Sequence, residues 1–65
     1  MTEGLDIYRT AELMRGEHGK EAHSKALDNA EAFGKRSMPE AVATWKRVAS
    51  AILDLERVSS DTEVH

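Results

Sequence analysis

The chain has 65 residues and a mass of 7.2 kDa, enough for one small domain and too little for a second core. Nine of its 26 apolar residues are alanine, so core material is thin, and the absence of cysteine excludes both a disulfide and a thiolate zinc site as supplements. Nine basic and twelve acidic residues leave a net charge of −3, a balance that suits a soluble intracellular protein and disfavours a general binder of nucleic acid or of an anionic membrane.

Met1-Thr2-Glu3-Gly4 is acidic and polar where a secretion signal is basic and apolar, so no export signal is expected. No apolar run approaches the ~20 residues of a membrane span, and the cytoplasm is the expected location. Residues 1–5 are expected to form a flexible N-terminus.

Beyond them the apolar spacing is helical and not alternating, broken by glycine at Gly16 to Gly19 and again at Gly34 to Ser37. The expected fold is therefore all-α, a compact three-helix bundle with short connections, occupying residues 6–58 with helices over about 6–18, 20–33 and 38–57.

The first helix starts at Asp6, a good N-cap, and aligns Ile7, Ala11, Met14 and His18 on one face. Gly19 is placed to end it as a left-handed cap, and Gly16 weakens its last turn. The second helix aligns Ala22, Ala26, Ala30 and Phe33, small residues that admit a close neighbour, with Gly34 as its C-terminal cap.

The third helix has the plainest start. Ser37 and Glu40 have capping-box spacing, and Pro39 falls in the first turn, where its missing N–H costs nothing. Its stripe of Ala41, Val42, Trp45, Val48, Ala49, Ile52 and Leu55 is the richest of the three and is expected to supply most of the core. Residues 59–65 are polar and without periodicity, and a disordered tail is expected there.

Several apolar residues fall off these stripes, among them Leu13, Leu27, Ala51 and Val58. Grouped on one surface they would make a self-association or partner-binding patch. With the solvated cations Lys46 and Arg47, the candidate interaction surface is Leu13, Leu27, Lys46, Arg47 and Val58.

Chemistry-bearing constellations are weak by comparison. His18 and His23, near Glu17 and Glu21, are the conceivable metal ligands, but five residues across a helix break is not the four-residue spacing of a helical pair. His18 is better read as ending the first helix, its ring meeting the helix dipole and its edge packing on the core. Ser24 beside His23 lacks a Gly-rich elbow to position it, and so short a chain has difficulty enclosing a pocket of ~300 Å³. No enzyme, metal or cofactor is expected.

Trp45, Lys46 and Arg47 would suit an anionic partner, yet helical geometry turns Trp45 inward and Arg47 outward, so Trp45 reads as a core anchor. Ala30 to Gly34 followed by Val42 and Trp45 also has something of a helix-turn-helix. Lys35 occupies its usual apolar position, however, and the connection is about two residues too long.

Asp6-Ile7-Tyr8-Arg9-x-Ala11, His18-Gly19, the alanines at 22, 26 and 30, and Ala43-x-Trp45-Lys46-Arg47-Val48-x-x-Ala51-Ile52-x-x-Leu55 together resemble a family of short, uncharacterised helical proteins of alphaproteobacteria. The resemblance covers residues 6–57, with Trp-Lys-Arg its most specific part, and departs from the pattern at Gly34 and in the loop 35–38. It implies a cytoplasmic bacterial protein with an all-helical fold and carries over no catalytic or ligand residue.

The expectation from sequence is a non-enzymatic protein–protein interaction module that pairs with another protein or with itself as a homodimer. The alternative is a DNA-binding, helix-turn-helix-like regulator. No membrane partner is expected.

Overall fold

The computed structural model describes residues 3–63, with side chains described for residues 6–58. The chain is all-helical among these residues: α1 (Glu3–His18), a 3₁₀ turn (Gly19–Glu21), α2 (Ala22–Lys35) and α3 (Pro39–Glu63). No open loop separates α1 from α2, so the backbone traces two helical arms joined by the connection 36–38.

Every helix boundary except the end of α1 at His18 differs from the sequence reading. α1 begins at Glu3 and not at Asp6, so three residues of the expected flexible N-terminus are helical; Asp6 lies inside the helix, where its charge favours the positive end of the dipole. α2 runs 22–35 where 20–33 was expected, because Lys20 and Glu21 belong to the 3₁₀ turn. α3 runs 39–63 where 38–57 was expected, since nothing between 58 and 63 is glycine or proline to stop it. Residues 59–63 of the expected tail are thus helical, and residues 1, 2, 64 and 65 lie outside the described residues.

Gly19 adopts φ +59°, the left-handed conformation expected of it, and the Ala22 N–H donates back to the Gly19 carbonyl. The second break is built differently from its sequence reading. Gly34 remains helical, and Ser37 takes the left-handed position at φ +58°. The Met38 N–H donates to the Phe33 carbonyl at 3.1 Å and the Ser37 N–H to the Gly34 carbonyl at 3.0 Å, the two bonds of a Schellman motif. Ser37 therefore ends α2 instead of capping α3, and the Ser37/Glu40 capping box does not form. The Val42 N–H donates to the Met38 carbonyl at 3.1 Å, which makes Met38 the N-cap and leaves Pro39 in the first helical position.

α3 organises the packing, making its most extensive contacts with α2 and the next with α1; α1 and α2 touch each other least. The buried cluster joins Ala11 and Met14 of α1, Ala22 and Ala26 of α2, and Val48, Ala49, Ala51 and Ile52 of α3, with Ile7, Trp45 and Leu55 packed half-buried against it. Alanine predominates on α2, as its stripe implied, and lets α3 approach closely.

Ala51 corrects the sequence reading. Assigned there to the exposed residues, it is 3% exposed and belongs to the core. The physical cause is that α3 serves neighbours on two flanks, so its buried arc is wider than a single stripe.

The molecule is a slab of 45 × 28 × 15 Å with a radius of gyration of 12.4 Å. Two helix layers with axes 8–10 Å apart and a Cα radius of 2.3 Å occupy about 13–15 Å, which accounts for the thickness. A closed bundle of three near-parallel helices would be about as narrow in its other short direction. The 28 Å width shows α1 and α2 spread along α3 and not closed around one axis.

Candidate interaction surface

Among the described residues six large apolar side chains are exposed: Tyr8, Leu13, Leu27, Met38, Leu53 and Val58. Only three of the described residues larger than alanine are buried: Met14, Val48 and Ile52. An excess of large apolar groups outside over inside is unusual for a soluble monomer and directs attention to where the exposed ones lie.

The structure brings two of the five candidate residues together. Leu27 of α2 and Lys46 of α3 line one shallow groove of about 470 Å³ with Ala30, Glu31, Gly34, Lys35 and Val42. The pairing of Leu27 with Lys46 at one end and Gly34 with Val42 at the other shows α2 and α3 antiparallel and side by side.

Leu53 is not among the residues lining this groove, but helical spacing sets it on the same side of α3. Val42, Lys46, Ala49 and Leu53 recur at i, i+4, i+7 and i+11, one stripe along the flank that faces α2. Leu27 and Leu53 are 42% and 43% exposed, so the face presents two leucines to solvent beside half-buried Val42. Leu53 was missed in the sequence. The signal that could have found it is its i+11 relation to Val42, obscured there because Leu53 sits among the core positions Ile52 and Leu55.

The other candidates lie elsewhere. Arg47 and Val58 share a stripe with Asp54 on the opposite flank of α3, where the Tyr8 hydroxyl of α1 donates to Asp54 Oδ2 at 3.3 Å. Val58 is 61% exposed. Leu13, 62% exposed, is turned away from the inward face made by Ile7, Ala11 and Met14.

Around the N-terminus of α3 a second open depression of about 430 Å³ is lined by Met38, Pro39, Glu40 and Ala41. It has no basic group and only one carboxylate, so it offers little beyond apolar contact.

Reactive groups do not converge. No polar or charged residue is buried among the described residues, and no three His, Asp or Glu side chains are placed to share a metal ion. His18 forms a long ion-pair contact with adjacent Glu17 at 3.9 Å and is exposed at the end of α1, so its edge does not enter the core as expected. Its place in the last turn does set it at the negative end of the helix dipole. Trp45 is half-buried against the core cluster, an anchor with one side open.

Among the described residues no helix is long and apolar enough to cross a membrane. Comparison of the chain with protein-family models, with curated proteins and with solved structures finds no match.

Proposed function

We propose that this chain is a non-enzymatic protein–protein interaction module, an open three-helix bundle that docks through the apolar face shared by α2 and α3. The observation that carries the reading is exposed Leu27 set in the groove that also contains half-buried Val42 and the charged side chains of Glu31, Lys35 and Lys46. Apolar anchors in a groove rimmed by charge are the composition of a docking surface. A catalytic site would instead call for a desolvated polar group, and the interior of the described residues is wholly apolar. The reading needs no cofactor and fits a cytoplasmic protein.

The test is site-specific photo-crosslinking in the native cell with the photoreactive residue at position 27, and at exposed Glu12 on α1 as a control. One discrete protein adduct from position 27 and none from position 12 is the expected result. Absence of any adduct at position 27 would overturn the reading. Mobility shift with mixed duplex DNA at low salt is the companion measurement, because phosphate contacts are strongest there. A shift that disappears steeply as salt is raised would put a nucleic-acid binder in its place.

A further inference from the structure

We propose that the occupant of the α2/α3 face is a second copy of this chain, paired about a two-fold axis that runs through the groove between Leu27 and Val42. The inference rests on the docking reading above and names its partner.

Surface area supplies the first argument. The chain exposes 4982 Å². A monomer of 7.2 kDa is expected to expose about 4,100 Å². The difference, roughly 900 Å², marks a chain more open than a compact monomer of its mass, with surface to spare for the ≈ 800 Å² that each partner contributes to a standard interface. The flat shape and the excess area are one fact: two helix layers leave an outer face that a third layer would cover.

The distribution of side chains supplies the second. With Met14, Val48 and Ile52 as the only large buried residues among those described, the isolated chain has little apolar burial to set against its ordering entropy. A partner that compensates for this must be present whenever the chain is, and another copy always is.

Charge selects the copy over a partner of strong single sign. A two-fold interface joins a patch to itself, so the patch must be self-complementary. The groove carries Glu31 together with Lys35 and Lys46, both signs on one rim. The two-fold sets Glu31 against the partner subunit's Lys46, and Lys46 against the partner subunit's Glu31, with Leu27 of each copy covered in the interface. A net charge of −3 adds little repulsion between copies.

Sedimentation of the full chain across about 1–200 μM, with circular dichroism to follow folding, tests the proposal. The expected result is a monomer–dimer equilibrium with Kd of about 10 μM or tighter. Leu27→Glu should raise Kd at least about tenfold, whereas Leu13→Glu on the outer face of α1 should leave it unchanged. Glu31→Lys and Lys46→Glu should each weaken association, and the two combined in one chain should restore it. These charged positions are exposed, so the exchange remains decisive if Leu27→Glu loses helicity.

A strict monomer at about 200 μM would overturn the proposal, as would a dimer indifferent to Leu27→Glu and to both charge reversals. Its failure is distinguishable from that of the docking reading. A monomer in the centrifuge with a crosslinked adduct other than twice the chain's mass removes the second copy and keeps the docking face. No adduct from position 27 removes both.

Discussion

The Tyr8 hydroxyl donates to Asp54 Oδ2 at 3.3 Å across 46 residues of sequence and ties α1 to the C-terminal half of α3. Both groups are exposed, so water competes for the bond. Tyr8→Phe should cost no more than about 1 kcal/mol in urea unfolding at fixed protein concentration. Ile52→Ala, which empties the centre of the core, should cost about 2–5 kcal/mol and leave a chain so short largely unfolded. Equal effects of the two would mean that the α1 to α3 contact is held by Tyr8 and not by the apolar cluster.

Gly16 and Gly19 form a controlled pair. A Cβ built at either meets nothing within 4 Å, so the two differ in backbone conformation and not in space. Gly16 is helical, and Gly16→Ala should raise stability by about 0.5–1 kcal/mol through a smaller loss of chain entropy. Gly19 has φ +59°, and Gly19→Ala should lower stability by about 1–2 kcal/mol. Thermal unfolding of the two variants, which should shift in opposite directions, is the measurement.

Ser37 distinguishes the Schellman geometry from a capping box. As an N-cap it would lose about 1 kcal/mol on replacement by alanine and only a few tenths on replacement by glycine. In the left-handed position, Ser37→Ala should be nearly neutral, and Ser37→Gly should stabilise by about 0.5–1 kcal/mol. Loss of stability in Ser37→Ala would restore the capping role.

Ala51 offers a test of the two-flanked core. At 3% exposure it has no room for a larger side chain, and Ala51→Leu should destabilise by about 1–3 kcal/mol in denaturant unfolding. Exposed Ala32→Leu is the control and should change stability by less than about 0.5 kcal/mol. A neutral Ala51→Leu would mean that α3 is open on its α1 flank.

The legibility of the fold in the sequence follows from which forces are local. Helical spacing of Ala22, Ala26 and Ala30, and of Val48, Ala49 and Ile52, arises within single helices, and all six residues are buried. Gly19 is similar: the need for a left-handed residue after His18 is met by the one residue type without a Cβ. Boundaries were less legible. Ser37 and Glu40 satisfy a capping-box spacing on paper, yet the carbonyls of Phe33 and Gly34 need donors at the end of α2, and satisfying them sends Ser37 left-handed.

The amino-acid sequence by itself determined that this chain is helical, that alanine makes α2 a close-packing helix, and that large apolar residues are too few for a deep core, because each depends on residue type and spacing along one helix. The tertiary structure alone decided which leftover residues share a face. Leu27 and Lys46 line one groove, Arg47 and Val58 lie on the other flank of α3, and Leu13 on the outside of α1. The reason is the placement of α1 and α2 on two flanks of α3, which widens its buried arc to include Ala51 and leaves the groove beside Val42 uncovered.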